Sequence, residues 1–221
     1  MAAEKPQFVL LAGPSGSGKT TFLNNNRAAF PEHIVTPDAF LERFGDLPQK
    51  EARHNAVELA NTQQADLIAN RQSFVQETLL TGDSKINLLR DMQQRGYETK
   101  LVYMCLNDPQ DNEDRVRNRI EAGGNFVPPE IVKKDYALSL QHLPKAILVA
   151  DTTQIFDNST FGEPHSHVAT IERGAVIEQA AELPQWVENT FPHGLQAHLD
   201  GGSRARDEPQ IARKKAVELD R

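Results

Sequence analysis

The chain of 221 residues has a single cysteine, Cys105, so no disulfide can form within it. Cys105 sits in the apolar run 101–106 and reads as a small buried hydrophobe rather than a nucleophile. No stretch approaches the roughly 18 apolar residues of a membrane span. The opening Met-Ala-Ala-Glu-Lys-Pro carries no apolar core of a secretion signal. These absences lead to the expectation of a cytoplasmic protein with no membrane contact. Excess positive charge is also missing: the net charge is −7, which disfavours nucleic acid as a partner. No internal repeat is visible. At 38% hydrophobic, the length suits one α/β core and is too short for two comfortable domains.

What the sequence does have stands near its start. Residues 8–21 read Phe-Val-Leu-Leu-Ala-Gly-Pro-Ser-Gly-Ser-Gly-Lys-Thr-Thr, an apolar strand running into a complete phosphate-loop pattern. Gly13, Gly16 and Gly18 permit backbone conformations that a Cβ would forbid. Successive N–H groups across Gly13, Pro14, Ser15, Gly16, Ser17, Gly18, Lys19, Thr20 and Thr21 can therefore turn toward one phosphate chain. Lys19 adds a mobile charge for the outer phosphates, and the Thr20 hydroxyl can ligate Mg²⁺. The bland alternative is a glycine-rich turn with a chance lysine. The strand before the loop and the Thr-Thr-Phe-Leu after it argue against that. The pattern implies a bound nucleoside triphosphate.

Short apolar runs alternate with helical patterns, as in a parallel sheet wrapped by helices. Strands are predicted near 7–12, 33–36, 73–77, 99–106 and 146–150, giving a five-stranded parallel sheet of the nucleotide-kinase type. A long helix is predicted between the second and third, with Ala52, Ala56, Leu59, Ala60, Leu67 and Ile68 on one face. Ile86, Leu89 and Met92 mark a shorter helix closed by Gly96. A charged helix over 110–122 and a second helix from Val127-Pro128-Pro129 are expected to form a lid spanning about 110–135. A hairpin around Arg173-Gly174 and a small helix at 183–187 belong to an addition over 160–193. The kinase domain is placed at 1–193, and 194–221 is read as a mobile polar tail.

A phosphate loop alone does not choose between a GTPase, a motor, a transporter ATPase and a kinase. Asp38, after the second strand, can take the proton of an attacking hydroxyl or help hold Mg²⁺. It can equally cap the helix at Ala39. Glu77 ends an apolar strand, where an acid has few structural uses, so contact with substrate is favoured, with the Thr78 hydroxyl beside it. Arg115 and Arg119 share a helix face and, with Lys133-Lys134 beyond Gly123-Gly124, suit a lid that neutralises charge during phosphoryl transfer. A solvated helix paired with Glu113, Asp114 and Glu121 explains the same charges. His165-x-His167 lacks a third ligand for a metal site. No water-positioning glutamine of a switch protein is evident, and Ala150-Asp151 is the one later strand-end acid of the Walker-B kind.

Taken together, these residues resemble the zeta-toxin family of phosphate-loop kinases, particularly its chromosomal branch. The resemblance runs from Phe8 to about Ser159 through the loop, Pro37-Asp38, Gln76-Glu77-Thr78, Arg95-Gly96-Tyr97, Arg115-Val116-x-x-Arg119, Gly123-Gly124-x-x-Val127-Pro128, Tyr136 and Asp157-Asn158-Ser159. It implies ATP-dependent phosphorylation of UDP-N-acetylglucosamine, with Asp38 as general base and Arg119 on the ATP phosphates. It also implies a small antitoxin protein as partner. Two positions depart from the family pattern: Asp135 stands where arginine is common, and Leu79 replaces a second threonine. A kinase for another nucleotide-type acceptor, and an ATPase or regulatory ATP-binding protein, remain as alternatives.

Overall fold

Alternation along the first strand explains the architecture. In the computed structural model, which describes residues 5–202 apart from Asn125 and Phe161, β1 (Gln7–Ala12) is the middle one of five parallel strands. Phe8, Leu10 and Ala12 enter one apolar cluster, while Val9 and Leu11 enter a second on the opposite face. A strand covered on both sides reads as a continuous apolar run. Around it lie β2 (His33–Val35), β3 (Phe74–Thr78), β4 (Glu98–Cys105), β5 (Thr152–Asp157), β6 (Ser166–Glu172) and β7 (Ala175–Gln179). Their order is β2-β3-β1-β4-β5-β6-β7. β1 to β5 are mutually parallel, and the β6–β7 hairpin extends the sheet antiparallel to β5. The sheet thus has seven strands rather than the five expected, because the hairpin joins it.

The helices are α1 (Lys19–Asn25), α2 (Gln49–Ala69), α3 (Asp83–Gln94), α4 (Pro109–Glu121), α5 (Pro129–Ile147) and α6 (Gln185–Thr190). Local chemistry sets their ends. Asp108 accepts the Gln110 N–H at 2.8 Å to cap α4, with Pro109 at its first turn. At the far end, Gly123 (φ 94°) and Gly124 donate to the carbonyls of Ile120 and Arg119, a Schellman closure. The glycine pair therefore ends α4 by a defined hydrogen-bonded turn.

Two expectations are corrected. Residues 146–150 form no strand: α5 runs through Pro144 to Ile147, because Leu143, Ala146 and Ile147 are all buried in the main cluster. The fifth strand lies just beyond, at Thr152–Asp157, where alternate burial replaces an apolar run. Nor is the tail boundary at 194. Residues 195–202 are helical, Leu195 and Leu199 are each 1% exposed, and His198 approaches the Pro144 carbonyl at 2.9 Å. The remainder of the expected tail, 203–221, lies outside the described residues. Leu199→Ala is expected to lower the unfolding free energy by about 2–4 kcal/mol, since it empties a core position. Urea denaturation would read this, and a change below about 0.5 kcal/mol would mean that the segment contributes nothing to the fold.

Candidate active site

The carboxyl ends of β1, β2 and β3 open into a cleft of about 1570 Å³, where the phosphate loop, α2, α4, α5 and the loop after β5 meet. Open parallel sheets place ligands at this edge. The loop connecting β1 to α1 has left-handed backbone at Gly13 (φ 142°) and Gly18 (φ 94°). A Cβ at Gly13 would collide with the Met104 carbonyl, and one at Gly18 would come within 2.9 Å of His165 Nε2. Ser15, Gly16, Gly18, Lys19, Thr20 and Thr21 line the cleft. Gly13, Pro14 and Ser17 are not among the residues that line it. Lys19 Nζ donates to the carbonyls of Gly13 (2.8 Å) and Pro14 (2.9 Å). Gly18 gives α1 no side-chain cap, so its first-turn N–H groups are left for an anion.

Side chains distant in sequence hold this loop. Asn112 Nδ2 donates to the Ser15 carbonyl at 2.6 Å and Asn158 Nδ2 to the Ser17 carbonyl at 3.0 Å. Arg115 donates to the Asn158 carbonyl at 2.8 Å, tying α4 to the loop after β5. Asp157 is itself fixed by the Trp186 indole at 2.7 Å and by Ser159. Arg115 and Arg119 both line the cleft. Arg119 lies near enough to help lower the Lys19 ammonium, which burial chiefly pushes down to about 8 and which Glu77 opposes.

Asp38, Glu77 and Thr78 are brought to the same cleft. Glu77 Oε2 accepts from the Thr20 hydroxyl at 3.3 Å. Burial raises the Glu77 carboxyl, Lys19 pulls it back down, and the nearby Asp38 charge adds to the rise. Asp38 lies in the first turn of a 3-10 segment, Pro37–Phe44, whose start has no side-chain cap, so the capping role is not what this carboxylate performs. The Thr78 hydroxyl oxygen accepts the Leu80 N–H at 3.1 Å, leaving its hydrogen free to donate. Asp135 and Leu79 also line the cleft.

Asp151 is corrected as an acid of the nucleotide site. It lies at the start of β5, on the opposite sheet edge, where it accepts from the N–H and hydroxyl of Thr99, each at 2.8 Å. Cys105 is buried and its thiol is pushed up to about 12, as an inert core residue requires. The two histidines part company. His167 approaches Thr170 Oγ1 at 2.8 Å, whereas His165 packs edge-on against Phe22 and lines the cleft beside Gly18. Among the described residues no three His, Cys, Asp or Glu side chains converge on a metal site, and no helix is long and apolar enough to cross a membrane.

A seven-stranded, mostly parallel sheet with a phosphate loop at the end of β1 and the arginines of α4 lining the same cleft defines a kinase-like nucleotide-binding protein. The family model described as Zeta toxin matches residues 1–162, and the chain belongs to that family. Among solved structures, it is similar to one chain of the AvrRxo1-ORF1:AvrRxo1-ORF2 complex with ATP, with a TM-score of 0.67 and 16% identity over 90% of this chain and 77% of that one. It is also similar to a chain of the PezAT chromosomal toxin–antitoxin system of Streptococcus pneumoniae, with a TM-score of 0.60 and 17% identity over 94% of this chain and 88% of the other. A Haemophilus influenzae protein, described as uncharacterized, is 26% identical over 132 residues, covering 58% of this chain and 91% of its own.

Proposed function

We propose that the protein is an ATP-dependent kinase of the zeta-toxin type that phosphorylates a hydroxyl of a small molecule. The observation that carries this reading is the meeting of Asp38 and the phosphate loop in one cleft, with Lys19, Arg115 and Arg119 on the same side. The acceptor oxygen bonds to the γ-phosphorus, the bond to the bridging oxygen breaks, and ADP leaves. Asp38 takes the hydroxyl proton. Lys19 and Arg119 face the charge that develops on the transferring group, and Arg115 also holds the loop after β5 in place. The Thr20–Glu77 pair would hold Mg²⁺, which neutralises phosphate charge when bound with ATP. α4 and α5 form the lid in this reading.

The complex of a similar chain with ATP supports ATP as donor. UDP-N-acetylglucosamine is the acceptor that family membership suggests and the first compound to offer. A small antitoxin is the proposed protein partner, on the strength of the PezAT likeness. The test is the fate of label from γ-labelled ATP. A kinase places it in an organic product, whereas release only as inorganic phosphate would make the protein an ATPase.

Arg119→Ala is expected to slow transfer about a hundredfold, as loss of one transition-state cation does. The acceptor KM should change little. Unaltered turnover together with a lower melting temperature would reassign Arg119 to the helix surface.

A further inference from the structure

The ends of β4 and β5 are tied together by side chains. Asn107, just after β4, donates its N–H to Ser159 Oγ at 2.9 Å, and its Oδ1 accepts the Trp186 backbone N–H at 3.2 Å. The Tyr136 hydroxyl of α5 donates to the carbonyls of Leu106 (2.7 Å) and Asn107 (3.3 Å). Asp157, the last residue of β5, is buried among these groups. Its Oδ1 accepts from the Trp186 indole and from the Ser159 hydroxyl, both at 2.7 Å, and its Oδ2 accepts the Ser159 N–H at 3.0 Å. All three donors are neutral. A buried carboxylate is costly without such partners, and its charge strengthens each bond it accepts. The charge also reaches α4: burial lowers the Arg115 guanidinium, and Asp111 and Asp157 oppose this.

From Asp157 the contacts run into the phosphate loop through the next residue. The Asn158 N–H donates to the Cys105 carbonyl at 3.0 Å, and its own carbonyl accepts from Arg115 at 2.8 Å. With the backbone held on both sides, the side chain donates to the Ser17 carbonyl at 3.0 Å. In a planar trans peptide the C=O and the following N–H point in opposite directions. A Ser17 carbonyl turned to Asn158 therefore turns the Gly18 N–H away from it. Asn112, at 2.6 Å from the Ser15 carbonyl, does the same for Gly16. Gly16 and Gly18 both line the cleft, and a phosphate cradle works best when its N–H groups are aimed before the ligand arrives.

The far end of this chain of contacts is Trp186 on α6. It lies outside the residues that the family model matches, is 1% exposed, and packs on Tyr103 with ring centroids 5.8 Å apart. We propose that Trp186 is a positioning residue for the phosphate loop, acting through Asp157 and Asn158 to set the affinity for a nucleoside triphosphate. The C-terminal addition thereby becomes a working part of the nucleotide site. This role needs only the nucleotide-binding loop and goes beyond the kinase reading.

The test measures ATP affinity of the full-length protein by calorimetry, well below the melting temperature of each variant. Trp186→Phe keeps an aromatic ring in place and removes the indole N–H, whereas Asn158→Ala removes the last link to the loop. Each alone should weaken ATP binding about tenfold. The double variant should be no weaker than the weaker single one, because both changes break the same connection. A purely structural Trp186 would lower the melting temperature and leave ATP affinity within about twofold of wild type, which would overturn the proposal. Losses that multiply in the double variant would overturn it as well.

A second measurement needs no change at Trp186. The chain has one tryptophan, so its indole N–H gives a single NMR cross-peak. Coupling between two sites is reciprocal, so ATP should move this peak saturably, with the dissociation constant found by calorimetry. Asn158→Ala should remove most of that movement. A peak left unmoved by saturating ATP in the wild type would contradict the coupling. Both readouts are of ATP binding, so failure of this role and failure of the kinase reading are seen separately.

Discussion

Lys19→Ala is expected to remove ATP-dependent turnover by at least about two orders of magnitude while leaving the fold in place. The side chain is buried, yet its ammonium is spent on two loop carbonyls, those of Gly13 and Pro14, and on no residue of the apolar clusters. A buried ammonium held by two carbonyls is strongly desolvated, which is why it sits near 8 instead of above 10. Phosphates give it a better partner and raise it again. ATP affinity of the wild type should then be flat below about pH 8 and weaken above it, by up to about tenfold per unit, as the free enzyme loses the proton that the complex keeps. The alanine variant should lose that slope. Thermal unfolding without ligand should fall within a few degrees of wild type. A large loss of melting temperature would show that Lys19 belongs to the folded core.

How much of this was legible in the sequence depends on the range of the interactions involved. The phosphate loop is local chemistry, with glycines, a lysine and a threonine at fixed spacing, and it was readable at once. So were Asp38 and Glu77, because a strand's carboxyl end is a position that the residues themselves mark. The seven-stranded sheet was only partly visible. Thr152–Asp157 alternates Thr, Gln and Phe at partly exposed positions and has no apolar run, so the neighbouring apolar end of α5 looked more like a strand than the strand did. Leu195 and Leu199 stand among polar residues, and their burial depends on α5 and α6 being beneath them.

The same limit applies to the loop's supports. Asn158 reaches Ser17 across 141 residues, and no local pattern announces such a contact. His165 is weighed in the sequence only with His167 as an incomplete metal site, although Gly18 and Phe22 are its neighbours. The one available signal was its place shortly after Asp157-Asn158-Ser159, a stretch already singled out. Asp151 shows the converse error: an acid after an apolar run reads as a strand-end acid of the Walker-B kind, but the sheet direction puts it at the far edge, bound to Thr99.

The central claim, that this cleft moves a phosphoryl group to a hydroxyl with Asp38 as base, is tested most directly by Asp38→Asn. Asparagine keeps the shape of the side chain in the first turn of the 3-10 segment but cannot accept the proton. No side-chain cap depends on it, so stability should move by less than about 0.5 kcal/mol. The neighbouring Glu77 loses one charge that raises it and should ionise more readily. Nucleotide affinity and phosphate transfer should be measured on the same purified variant. The account predicts ATP binding close to wild type and transfer to acceptor reduced by about a hundredfold or more. Normal transfer by Asp38→Asn would contradict it.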